Sequence, residues 1–150
     1  MKKVYVFTIF ACILFNSCVT NYTPPVSKNI EKKKEFNKSF DIIWEKIIKW
    51  LNENAIPIKN IDKNSGFISS EYDLTVFSDY MDCGDGGIQT DKKGTINIVV
   101  SKNNDKIIVT IITFFSCYLQ YIELDKSKND RVECISNGNI EKEIFDYINN

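Results

Sequence analysis

Five cysteines, at positions 12, 18, 83, 117 and 134, are the residues of this 150-residue chain best suited to covalent chemistry. A thiol becomes a nucleophile when a nearby base or cation lowers its pKa, and the usual base is histidine. The chain contains no histidine. That excludes Ser–His and Cys–His activation, and it removes the commonest ligand of zinc, copper and nickel. The acidic stretch Asp79, Asp82, Asp85, with Gly84, Gly86 and Gly87, resembles a calcium loop only in composition. Its acids recur every third residue, whereas an EF-hand loop needs alternate positions and a distal glutamate. The same glycines lack the following Gly-Lys-Ser/Thr of a phosphate-binding loop. No catalytic residue, metal site or cofactor is therefore expected, and the chain reads as a non-enzyme.

The first two cysteines lie in a segment with a different logic. Met1-Lys2-Lys3 precedes a twelve-residue uncharged run, Val4–Phe15, and then Asn16-Ser17-Cys18. A cationic start, a short apolar run and a small residue before a cut form the layout of a secretory signal. As a helix the run spans about 18 Å, well short of the roughly 30 Å of bilayer hydrocarbon. Leu14-Phe15-Asn16-Ser17-Cys18 resembles a lipobox, in which the cysteine is acylated and becomes the new N-terminus; Phe15 stands where leucine is usual, and Asn16 is bulky for its place. Two or more acyl chains anchor a protein durably, where one holds it only marginally. The expectation is a signal peptide over residues 1–17, membrane attachment through lipid on Cys18, and a lipidated tether over 18–31 in which Pro24-Pro25 favours an extended path. Val19 and Thr20 follow the cysteine in place of an aspartate, which points to the outer membrane facing the periplasm.

Export places Cys83, Cys117 and Cys134 in an oxidising compartment. Three thiols allow one bridge and one leftover. Cys117 shares the phase of Val109, Ile111, Phe115 and Leu119 and so reads as a buried small hydrophobe. Cys83 and Cys134 sit in turn-rich segments, and a Cys83–Cys134 disulfide is expected.

The elements that must position these groups come from periodicity. The 133 residues beyond Ser17 suit a single domain, read as 32–150, large enough to bury a core. A net charge of −1 offers no electrostatic footprint for nucleic acid. A short strand through Phe36 is followed by Ser39 as N-cap of a helix with Phe40, Ile43, Trp44, Ile47, Ile48 and Leu51 on one face. Trp44 and Trp50 read as core. Strands follow at Ile56–Ile61, with Pro57 marking an edge, and at Phe67–Tyr72. Residues 73–94 read as a long irregular connection. Thr95–Ser101 and Lys106–Leu124 form a hairpin, the second strand so long that a bulge is expected near Phe115–Cys117. Ser136 or Asn137 caps a last helix with Ile140, Ile144, Tyr147 and Ile148 on one face. The order (β)-α-β-β-β-β-α implies an α+β domain, an antiparallel sheet of four to five strands with two helices on one face.

Phe40-Asp41-Ile42-Ile43-Trp44, Asn54-Ala55-Ile56-Pro57-Ile58 and Asp62-Lys63-Asn64-Ser65-Gly66-Phe67-Ile68 together resemble the opening of a BamC-type helix-grip domain, over roughly residues 36–72. BamC-type proteins are lipoproteins of the outer-membrane barrel-assembly machinery with a long N-terminal segment and two such domains. These 150 residues read as one such domain without that segment, so the resemblance implies a helix-grip lipoprotein rather than a barrel-assembly role. Cys134-Ile135-Ser136-Asn137-Gly138-Asn139-Ile140-Glu141, paired with Asp82-Cys83-Gly84, is similar to the ending of small exported lipoproteins.

Opposite the inward phase, Ile108, Ile112, Phe114, Tyr118 and Ile122 alternate onto the other sheet face. If helices cover one face only, this row is a candidate partner surface. The expected role is a lipid-anchored protein-binding or scaffolding module of the cell envelope. The alternative is a helix-grip carrier of a small molecule or lipid, with a pocket bounded by Trp44, Phe67 and Phe115.

Overall fold

Long-range backbone pairing dominates the architecture. The computed structural model describes residues 22–73, 79–123 and 126–150; Cys12, Cys18 and the signal segment lie outside them. In chain order the elements are β1 (Lys33–Phe36), α1 (Phe40–Glu53), β2 (Ile58–Asp62), β3 (Phe67–Asp73), β4 (Met81–Asp82), β5 (Ile88–Asn103), β6 (Lys106–Glu123), β7 (Lys126–Ser136) and α2 (Asn139–Asn149). The strands form one seven-stranded sheet in the order β2-β3-β5-β6-β7-β4, with β1 also against β6, and every pairing is antiparallel. The α+β class and, among the described residues, the two helices agree with the expectation. The strand count exceeds it.

Local chemistry accounts for α1. The Ser39 hydroxyl accepts from the Ile42 N–H at 3.4 Å, satisfying an otherwise orphaned donor. Ile43, Trp44, Ile47, Trp50 and Leu51 then fall on one buried face, so both tryptophans are core. In α2 the buried positions are Ile140, Glu141, Ile144, Phe145 and Ile148. Its N-cap is Gly138 rather than Ser136 or Asn137. Those two act one step outside: Ser136 Oγ accepts from Gly138 N–H and Asn137 Oδ1 from Asn139 N–H. Both helices pack on one sheet face, where Ile68, Ile96, Ile98, Val100, Val109, Ile111 and Phe115 share a single core with their apolar stripes. Lys38 of the β1–α1 corner donates to the carbonyls of Ile148 and Asn149, satisfying the free end of α2.

The turn Asp62–Gly66 forms as its residues dictate. Asp62 Oδ1 accepts from Asn64 N–H. Gly66 sits at φ 72°, and its carbonyl accepts from Val100 N–H at 2.8 Å. A Cβ there would fall on the Val100 carbonyl oxygen, so only glycine fits.

Three expectations are corrected. The segment read as an irregular 73–94 connection contains β4, and β5 begins at Ile88, seven residues before the expected start. The bulge lies in β5 rather than β6: Thr90 faces Tyr118 and Lys93 faces Ser116, three steps against two. Asp91 takes φ 45° there, and β6 runs through Phe115–Cys117 as continuous strand. A seventh strand, β7, was not expected at all. Its sequence, Lys-Ser-Lys-Asn-Asp-Arg-Val-Glu, has almost no apolar phase, and it forms because β6 supplies an edge from Phe115 to Glu123.

Candidate functional site

The sheet face away from the helices carries the candidate site. Side chains alternate along β6, so with Val109, Ile111, Phe115 and Cys117 buried, the even-numbered residues emerge on the opposite face. Phe114 is 60% exposed there, Tyr118 39% and Ile112 38%; Ile88 of β5, across from Gln120, is 62% exposed. The expected row therefore holds at Ile112, Phe114 and Tyr118. Ile108 is a correction: it is buried at 7%. Its position is flanked by β1 and β5, and Glu35, its β1 partner, pairs with Lys106 at 2.8 Å on the same face. The side chain of Ile122 lies outside the described residues. Ile88, absent from the expected row, was hidden by the reading of residues 73–94 as irregular.

Polar groups shape one end of this face. The Arg131 guanidinium lies 4.6 Å from the centroid of the Tyr118 ring. It also donates to Ser116 Oγ at 3.1 Å and pairs with the Asp91 carboxylate. The β5 bulge supplies Asp91, so the bulge and β7 together pin the one arginine of the chain over Tyr118. Beside Phe114 an open groove of about 950 Å³ is bordered by Lys28, Ile30 and Lys32 on one side and by Lys59, Glu71 and Lys93 on the other. Lys59 and Glu71 form an ion pair. Of the three residues expected to bound a pocket, Trp44 and Phe115 are each 4% exposed and packed in the core, whereas Phe67, opposite Val99 and so in phase with Thr110, belongs to the other sheet face.

The cysteines stand behind the opposite face. Cys83 and Cys134 form a disulfide, and Cys117 is a buried free thiol. The three sulfurs lie within 4.8 Å of one another. Burial pushes the Cys117 thiol up, the reverse of what a nucleophile needs. The bridge joins the loop after β4 to β7, and it holds that loop where Asp85 meets Thr23.

A second buried polar group links the sheet to α2. Glu141 is 1% exposed; it accepts from Ser136 Oγ at 2.7 Å and from Thr113 Oγ1 at 3.1 Å. Ser136 Oγ in turn accepts from the N-cap N–H of Gly138 at 3.1 Å. In a capping box the third helical residue reaches back to the N-cap N–H directly. Here the serine hydroxyl relays that contact. Each oxygen of Glu141 thus accepts from a structural partner.

Tyr80 donates to Glu143 at 2.8 Å, and burial together with that carboxylate raises its pKa to about 12. A tyrosine whose folded pKa exceeds its unfolded value of about 10 keeps its proton in the fold after the unfolded chain has lost it. Its contribution is complete below pH 10 and is expected to disappear between pH 10 and about 12. Urea midpoints measured across that window should fall more steeply in the wild type than in Tyr80→Phe, and equal slopes would refute the assignment.

No helix among the described residues is long and apolar enough to cross a membrane. Compared with known proteins, the chain matches no protein family and no curated sequence.

Proposed function

We propose that the protein is a non-enzymatic lipoprotein of the cell envelope, attached through acyl chains on Cys18 and holding another protein on its uncovered sheet face. The observation that carries this reading is Phe114, 60% exposed between Ile112 and Tyr118 on a face to which neither helix packs. Large aromatics left in water on a pleated face carry an unfavourable apolar hydration that burial under a partner removes, and such residues are the usual anchors of interfaces. The Cys83–Cys134 bridge is in keeping with an oxidising compartment. The resemblance to a helix-grip lipoprotein domain supports the same class, and the outer membrane facing the periplasm is the proposed address.

The test places a photo-crosslinking residue at Phe114 or, as control, at Ile61 on β2 in intact cells. A single protein adduct is expected at Phe114 and none at Ile61. Phe114→Asp should weaken that interaction by about 30-fold or more, the scale of an interface anchor, while the stability of this exposed site changes by less than about 0.5 kcal/mol. An adduct pattern identical at the two positions would sink the reading.

The groove of about 950 Å³ beside Phe114 favours the alternative, a carrier of a small molecule or lipid, because its size suits such ligands. Its openness and the filled space between sheet and helices favour the protein partner. Recovery of a stoichiometric small molecule from the natively purified protein would reverse that order.

A further inference from the structure

The path of the chain between Cys18 and β1 limits how far the domain stands from its anchor. Thr23 N–H donates to the Asp85 carbonyl at 2.8 Å, and Asp85 N–H returns a bond to the Thr23 carbonyl at 2.9 Å. The Tyr22 ring lies 5.5 Å from the Tyr121 ring. Gly84, at φ 83°, permits this approach, since a Cβ there would fall on the Thr23 carbonyl oxygen. Further along, Lys28 pairs with Asp82 at 3.8 Å, Ile30 lies against Gly138, and the Lys32 carbonyl accepts from Ile111 N–H at 2.8 Å. The segment that reads as a tether in sequence is thus strapped to the domain from Tyr22 onward.

We infer that the domain rides against the membrane surface on a short leash, with the Gly84–Ile88 corner, carrying Tyr22, Tyr121 and the exposed Ile88, meeting the lipid headgroup boundary. The inference rests on the proposed lipidation of Cys18. Five residue steps lead from Cys18 to Thr23, a reach of about 17 Å at most when fully extended. The first fixed point of the fold is therefore held about that close to the acylated sulfur. Two large exposed apolar side chains lie three residues from this pairing along the chain, Val26 beyond Thr23 at 77% and Ile88 beyond Asp85 at 62%, and Ile88 is the one on the sheet. Tyrosine rings with a polar tip suit the headgroup layer. Phe114 lies six residues along β6 from Gln120, the partner of Ile88, or about 20 Å away. Tyr118 is two residues from Gln120, so the lipid contact at Ile88 adjoins the near end of the partner patch and leaves Phe114 clear, while Tyr121 alternates onto the other face of the same corner; the partner is a protein presented at the membrane surface.

The test uses the full lipidated chain in vesicles of phosphatidylethanolamine and phosphatidylglycerol containing lipids brominated near the headgroup. Trp44 and Trp50 are buried and give a constant background. Ile88→Trp is expected to be quenched about threefold more than Ile61→Trp on the far edge strand, consistent with burial of about 5–10 Å into the boundary. A flexible insertion of fifteen residues between Asn21 and Tyr22 should abolish most of that difference. Mass analysis of the N-terminal peptide separates the two claims. Acylated Cys18 with Ile88→Trp unquenched, or quenched no more than Ile61→Trp, overturns the short leash and leaves the lipoprotein reading intact; an unmodified Cys18 overturns both.

Discussion

Replacing Cys83 and Cys134 together by alanine is expected to lower the unfolding free energy by about 4 kcal/mol, the loop-entropy value for a bridge closing about 50 residues. The two cysteines are 51 positions apart, so their bridge removes much freedom from the unfolded chain. Alanine is the suitable replacement because both positions are buried and a serine hydroxyl would need a partner. Chemical denaturation under oxidising conditions, wild type against double variant, gives the number directly. A loss under about 1 kcal/mol would mean that the unfolded chain is already compact between these positions. The single variant Cys83→Ala adds a qualitative test. It leaves Cys134 within 4.8 Å of the Cys117 sulfur, so a Cys117–Cys134 bridge is expected on slow oxidation. Burial keeps the Cys117 thiol protonated, which makes that step slow. Peptide mapping without reductant reads it. The same double variant frees the Asp85 loop that grips Thr23, so quenching of Ile88→Trp should fall as well.

Glu141→Ala is expected to cost about 2–4 kcal/mol, combining a buried hydroxyl left without its acceptor with the cavity of the lost side chain. The carboxylate is the meeting point of three elements: Thr113 from β6, Ser136 from the end of β7, and α2 through its own backbone. Removing it orphans the Ser136 hydroxyl proton at a site only 6% exposed. The combined variant Thr113→Val, Ser136→Ala, Glu141→Leu should recover much of the loss, because apolar groups replace every member of the network together. Urea unfolding of the single and combined variants decides the matter. If Glu141→Ala were neutral, the network would be incidental; if the combined variant were worse than the single one, the polar contacts would contribute specificity beyond their pairwise energies.

What was legible in the sequence is what depends on near neighbours. Ser39 and the spacing of Ile43, Trp44, Ile47 and Leu51 define α1 without reference to the rest of the chain. The turn at Gly66 follows from its own residues, as does the hairpin at Asn104-Asp105. Cys117 belonged to the inward phase of β6, which left Cys83 and Cys134 to pair. The seventh strand, the early start of β5 and the burial of Ile108 were not legible, for one shared reason. A strand's hydrogen bonds go to a partner distant in the sequence, so a polar segment such as Lys126–Glu133 becomes a strand only because β6 presents an unpaired edge. The site divides the same way. Alternation along β6 by itself placed Ile112, Phe114 and Tyr118 on one face. Only the tertiary structure decided that neither helix packs on that face, that Glu35 and Lys106 hem in Ile108, that Ile88 stands exposed farther along the face, and that Thr23 is tied to Asp85. Periodicity records which way a side chain points, whereas exposure depends on what the rest of the chain lays over it.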